Sequence, residues 1–249
     1  MKEIAFINQN NYLKIDSSLF INFIIENKSK LFDIERNIKL LFATKESYFS
    51  LLDNGNPIDI EDNVEVIDDI FTFDINDKKI LNMLYKNIKI YCRDYLRDEL
   101  NSIKNKIEEI IGSISLDHNL DIIATKEIKE EELFKLVDLK INDESDDRIL
   151  RLIKYIKILY ELKGVDIFFT FRLHEFFDSE QIKIIFNELK FYKISIINIE
   201  ANNLFEKLDF ETNIIYDNDL SLIMWNVIFI KDNRSKIWGL RVVLSSITL

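Results

Sequence analysis

Between Asp77 and Ile111 the chain carries neither glycine nor proline. Apolar residues fall at Leu81, Leu84, Ile88, Tyr91 and Tyr95. After a one-residue hitch they continue at Leu96, Leu100, Ile103, Ile107, Ile110 and Ile114. Steps of three and four are the period of an α-helix, and no breaker interrupts them. One helix of that length measures about 50 Å, more than most compact domains span. It projects as a leg or zips onto another helix, and the rest of the chain must be arranged around it.

Composition agrees with long elements and short connections, because 249 residues hold only four glycines and one proline. A hydrophobic fraction of 47% supports a folded core. The single cysteine, Cys92, excludes a disulfide within the chain and reads as a small core or flank residue. That usage fits a reducing, cytoplasmic setting. No run reaches the roughly eighteen apolar residues of a membrane span, and Met1-Lys2-Glu3-Ile4 opens no signal peptide. A net charge of −11 argues against a protein that coats DNA over its whole surface. It leaves room for a local basic surface, since charges beyond about 8–10 Å are screened.

In chain order, residues 3–8 and 12–15 alternate as two short strands. Asp16-Ser17 then caps a short helix with Leu19, Phe20, Phe23 and Ile24 on one face. Residues 37–42 read as a strand, Asn54-Gly55-Asn56-Pro57 as a turn, and 63–68 as a further strand. Asn76 caps the leg. Residues 130–137 form a short helix. Ser145 caps a second long helix, with Ile149, Leu152, Ile153, Ile156 and Leu159 inward and Gly164 at its end. The two long helices can pack antiparallel.

Beyond Gly164 the pattern becomes strand, helix, strand. Residues 165–171 and 193–199 are apolar runs, and Asp178 with Gln181 forms a capping box between them. That spacing predicts a right-handed βαβ unit with parallel strands. Residues 213–216 and 220–223 add two short strands. The fold class is therefore α/β. Residues 1–75 and 165–223 form a head with one shared sheet, 76–164 an inserted all-α leg of long antiparallel helices, and 224–249 a tail that reads as a hairpin.

An α/β sheet invites a nucleotide, but Gly55, Gly112, Gly164 and Gly239 stand far apart and no phosphate-cradling loop exists. Neither His118 nor His174 has a second ligand at zinc spacing. Asp166 with Glu188 and Lys190 loosely matches a metal-dependent nuclease, in which two carboxylates hold the metal and the lysine steadies water. Glu188 and Lys190 fall at a helix end, however, and not on the strand that would aim them inward, so a solvated helix terminus is the favoured reading. Asp117, Asp121, Glu127 and Glu131 surround an irregular connection and could offer oxygens to Ca²⁺, without EF-hand spacing. Along the long helix Lys79, Lys86, Lys89, Arg93, Arg97 and Lys104 recur at near-helical steps, with Lys129, Lys135 and Lys140 beyond. They read either as a solvated face or as a ridge that tracks phosphates.

Several stretches, in order over residues 4–223, resemble the CRISPR-associated adaptation proteins of subtype II-A, the Csn-two family. They are Asp69-Ile70-Phe71-Thr72-Phe73-Asp74-Ile75-Asn76, Glu132-Leu133-Phe134-Lys135, Leu139-Lys140-Ile141, Ile167-Phe168-Phe169, Phe191-Tyr192-Lys193-Ile194-Ser195-Ile196 with Glu200, and Asn213-Ile214-Ile215-Tyr216-Asp217. The resemblance implies a P-loop-ATPase-like head without nucleotide motifs and a helical leg. It also implies a homotetrameric ring, structural Ca²⁺, and linear double-stranded DNA threaded through a lysine-lined hole. Such a protein has no catalysis of its own and assists spacer acquisition beside the CRISPR integrase proteins and the type II-A effector nuclease. Two departures stand out: Ala124 and Lys126 occupy positions where carboxylates are expected, and Glu161-Leu162-Lys163-Gly164 replaces a lysine run. Lys104, Lys129, Lys135 and Lys140 are the expected DNA contacts, and Asp117, Asp121, Glu127 and Glu131 the expected metal ligands. The alternatives from other classes are the nuclease and an assembly scaffold that binds no DNA.

Overall fold

A computed structural model describes residues 2–6, 12–15, 19–40, 49–124, 129–143, 145–219 and 222–225. Its strands are β1 (Lys2–Phe6), β2 (Tyr12–Ile15), β3 (Phe20–Ile25), β4 (Phe49–Asp53), β5 (Asn56–Pro57), β6 (Val64–Val66), β7 (Ile167–Phe171), β8 (Ser195–Glu200), β9 (Glu211–Tyr216) and β10 (Leu222–Trp225). Its helices are α1 (Lys28–Lys39), α2 (Lys78–Tyr95), α3 (Arg97–His118), α4 (Glu130–Leu136), α5 (Arg148–Lys163), α6 (Leu173–Phe176) and α7 (Ser179–Phe191). They fall into two compact units, one of Met1–Phe73 with Ser145–Leu249 and one of Asp74–Glu144.

The larger unit is built on a six-stranded sheet of order β10-β9-β3-β8-β7-β6. All neighbours are parallel except β10, which runs antiparallel to β9. Numbered among themselves in chain order, the five parallel strands lie 5-1-4-3-2. This is the α/β class read from the sequence, with the P-loop-ATPase-like order. The βαβ unit β7-α7-β8 stands as expected, and α7 opens with the Asp178–Gln181 capping box. Gly164 ends α5 in the left-handed region with φ 82°, where a residue without Cβ has no steric penalty.

One face of the sheet packs Phe23, Phe169, Ile197 and Ile214 against Ile34 and Ile38 of α1. The same cluster takes in Ile4, Phe49 and Leu51 from a second, antiparallel sheet of order β2-β1-β4-β5. On the other face, Phe186 of α7 stacks on Phe210 at 4.2 Å, and Phe210 meets Phe20 of β3.

Several expectations are corrected here. Residues 20–25 form the central strand, not a helix, and all six are buried. Phe20, Phe23 and Ile24 fit a helical face, but Ile21 and Ile25 complete a run apolar on both faces, as a strand between two parallel neighbours requires. The strand expected at 37–42 is instead the end of α1, capped by Asn27, whose side chain accepts the Lys30 N–H at 3.0 Å; residues 41 and 42 lie outside the described residues. The N-terminal strands do not all join one sheet: β3 and β6 enter the large one, whereas β1, β2, β4 and β5 form their own. Asp147 rather than Ser145 caps α5. That helix lies in the larger unit, where Lys157 pairs with Glu188 of α7 at 2.8 Å and Tyr160 meets Tyr192. The hairpin expected in the tail falls on residues 226–249, outside the described residues.

The long helix is two helices. Leu96, with φ −124° and ψ 24°, separates α2 of 18 residues from α3 of 22. The break falls at the hitch in the apolar pattern. There, continuing one straight helix would carry the inward stripe away from its partners.

Candidate nucleic-acid interface

Local signals set up the smaller unit. Asp77, not Asn76, caps α2 by accepting the Ile80 N–H at 2.7 Å. Ile80 and Cys92 are the residues that α2 buries. Tyr91 and Tyr95, read as part of the inward stripe, are exposed and lie against each other at 5.0 Å. Helix α4 packs on α2.

Asn76 does something else. Its Nδ2 donates to the Ile141 carbonyl and its Oδ1 accepts the Ile141 N–H, both at 2.8 Å. One side chain thereby satisfies a distant backbone group in both directions, as a strand partner would. This pins the segment that follows α4 beside the start of α2. Tyr85, half-buried on α2, donates its hydroxyl proton to the Leu139 carbonyl at 3.2 Å.

One of the expected DNA contacts meets that tyrosine, and a second directly follows the residue its hydroxyl bonds. Lys135 sets its Nζ 5.7 Å from the Tyr85 ring centroid, a cation–π distance. Lys140 follows Leu139 and bonds Asp138 at 2.6 Å. The Asp138 hydrogen bond, then its charge, holds the Lys140 ammonium above the ordinary lysine range, with a smaller contribution from Tyr85. Lys104, half-buried on α3, and Lys129, exposed ahead of α4, stand on other elements of the same unit. From Lys78 to Lys106 the chain carries eight cations and three carboxylates, against the overall excess of acid. Lys86, Lys89 and Arg97 are exposed there; Arg93 is paired to Asp94 at 2.8 Å and Lys106 to Glu109 at 2.7 Å. A surface of this sign can meet a phosphate backbone although the whole molecule is acidic.

Of the expected metal ligands, Asp117 and Asp121 are exposed at the end of α3 and in the loop beyond it. Glu127 and the side chain of Glu131 lie outside the described residues. The nearby Ser115 hydroxyl is spent within the loop, donating to the Leu120 carbonyl and accepting the Ile122 N–H. Among the described residues no three His, Cys, Asp or Glu side chains gather in a metal-holding group.

The nuclease constellation does not assemble. Asp166 is engaged by Lys2, whose Nζ lies 2.6 Å from both carboxylate oxygens and 2.8 Å from Asn63 Oδ1. Glu188 pairs with Lys157, and Lys190 lies over the Phe186 ring at 5.5 Å. A helix end and a strand start therefore direct these three groups to separate partners.

The connection after the central strand of the head is short. At its topological switch point only Glu26 and Asn27 connect β3 to α1. A phosphate-cradling loop uses a longer run of backbone N–H groups than two residues supply.

The family model described as CRISPR-associated protein (Cas_Csn2) matches residues 41–220. The chain belongs to that family. Membership gives this Cas_Csn2 chain a role in CRISPR adaptation. No curated protein matches it. Among solved structures it is similar to one from Pyrococcus furiosus described as an ABC transporter (ATP-binding protein), with 15% identity and a TM-score of 0.37, covering 85% of this chain and 96% of that one. Among the described residues no helix is long and apolar enough to cross a membrane.

The sequence reading missed Tyr85, the Asn76–Ile141 clamp and Asp138. Tyr85 stands beside Leu84 of the apolar stripe, which hides a hydroxyl that faces another segment.

Proposed function

We propose that this Cas_Csn2 chain is a non-catalytic clamp on linear double-stranded DNA during spacer acquisition, acting in the cytoplasm as a homotetrameric ring. The observation that carries the reading is that Tyr85 ties two cation-bearing segments together, with Lys135 over its ring and its hydroxyl on the Leu139 carbonyl next to Lys140, in a unit whose α2 and early α3 are basic. A ring of four copies multiplies the −11 charge of each. It holds a duplex only where cations are gathered on the inner wall, because B-DNA bears a phosphate charge about every 1.7 Å. Assembly is supported by α3, which leaves Ile103, Ile110 and Ile114 exposed at spacings of seven and four. The CRISPR integrase proteins and the type II-A effector nuclease are the partners of this reading. Calcium belongs to it through Asp117, Asp121, Glu127 and Glu131 together.

The test is binding of a linear duplex compared with the same sequence closed into a circle, with salt varied. The clamp predicts affinity that falls steeply with salt, little base preference and a need for free ends. Lys135→Glu with Lys140→Glu should weaken binding while the helical signal stays. A circle bound as tightly as the linear form defeats the clamp. No affinity at moderate salt, with a native mass still above the monomer, would favour an assembly scaffold.

A further inference from the structure

The turn that ends α4 sets an acid against Lys140, the cation next to the Leu139 carbonyl that Tyr85 bonds. Asp138 sits in the left-handed region with φ 49°. Its N–H donates to the Lys135 carbonyl at 3.1 Å, and the Leu139 N–H reaches back to Phe134 at 3.3 Å. The wrap brings Asp138 Oδ2 to 2.6 Å from Lys140 Nζ. Glycine or asparagine takes such a backbone position more readily than aspartate. What aspartate adds there is a carboxylate on the lysine. The pair is open to water, with 53% of the lysine side chain and 78% of the aspartate side chain exposed. An exposed pair of this kind is weak, so another anion can displace it.

We propose that Asp138 is a built-in competitor for DNA phosphate: it holds Lys140 while no nucleic acid is bound and yields it when a backbone phosphate docks. The proposal rests on the clamp reading of the same surface. Docking at Lys140 is then an exchange of one anion for another. The exchange lowers affinity and reduces the salt dependence, because the lysine is already partly neutralised.

The experiment is a double-mutant cycle on the full chain, with binding of a short linear duplex measured across salt concentrations. Asp138→Asn keeps a residue that accepts the left-handed turn. It should tighten binding by about two- to fivefold, the scale of an exposed ion pair. It should also steepen the salt slope by up to about one. In a Lys140→Gln background the same substitution should have no effect. Equal tightening in both backgrounds would mean that Asp138 acts as a general negative charge, and overturns the proposal. So does unchanged binding on Asp138→Asn when the wild type binds. If neither the wild type nor any variant binds duplex, the clamp reading itself fails and takes this proposal with it.

Discussion

The Asn198 side-chain amide donates to Asn22 Oδ1 at 3.1 Å, in the buried middle of the parallel sheet. The two residues are register partners on β8 and β3. Asn22 in turn donates to Asn213 of β9 at 3.0 Å, and Thr170 of β7 donates to Asn198 at 3.3 Å. A row of polar side chains thus crosses four strands where every group is buried. It holds because nearly every donor finds an acceptor, and an unmet one would cost its full desolvation.

Asn198→Leu should therefore destabilise strongly. The substitution leaves the Asn22 oxygen, the Thr170 hydroxyl and the Leu173 N–H without this partner. A loss of about 3 kcal/mol is expected, at one to three per stranded group with partial relaxation. Urea unfolding should show a lower midpoint at unchanged slope. A shift no larger than a surface substitution gives would show that the row contributes little.

Glu200, at the end of β8, accepts from Asn198 Nδ2 at 2.7 Å and from the His174 N–H at 3.0 Å. Burial pushes its carboxyl above the ordinary glutamate range and outweighs those hydrogen bonds and the nearby His174. A folded value above the unfolded one means that the neutral form is the better fit. Its stabilisation is complete below the unfolded value, near 4.5, and is lost as pH rises through the raised folded one. Glu200→Gln keeps an acceptor oxygen and cannot ionise. Its melting temperature should exceed that of the wild type at neutral pH, and the difference should close toward pH 4. A constant offset at all pH values would contradict this.

Two glycines should respond in opposite directions to the same substitution. A Cβ at Gly164 meets nothing within 4 Å, but the residue is held at φ 82°. Gly164→Ala should cost about 1 kcal/mol through backbone strain alone. Gly112 lies inside α3, also with open space around an added Cβ. Gly112→Ala should gain up to about 1 kcal/mol from helix propensity. Thermal melts of the two variants give both signs in one measurement.

The exposed isoleucines of α3 make a prediction about assembly. Ile110 and Ile114 are 52% and 44% exposed, so placing aspartate at both should disturb no core. Native mass in solution should fall to that of a smaller species while the helical circular dichroism is kept. An unchanged mass would place the oligomer contact elsewhere.

What could be read in advance follows the range of the forces involved. The capping box of Asp178 and Gln181, the turn at Asn54 and Gly55 and the stop at Gly164 are settled within four residues. A local sequence states them fully. The βαβ unit was legible because two apolar runs flank one capped helix. Residues 20–25 were not, because Phe20, Phe23 and Ile24 satisfy both periods. The choice falls to the strands on either side of β3, which lie far along the chain. At the candidate site Lys135 and Lys140 were named from charge and from the stretches that carry the resemblance, whereas Tyr85, beside Leu84 of the stripe, was passed over.

By itself the sequence determined the α/β class, the family resemblance, the ends of α4 and α7, the stop at Gly164 and the local excess of cations in an acidic chain. These depend on period, composition and short-range hydrogen bonds. The tertiary structure decided which charges meet. Asn76 and Ile141 are 65 residues apart, and their paired hydrogen bonds, with that of Tyr85 to the Leu139 carbonyl, set the segment that carries Lys140 beside α2. The same folding sends Asp166 to Lys2 instead of to Glu188 and Lys190. Such proximities come from closing the backbone on itself, and no periodicity along the chain encodes them.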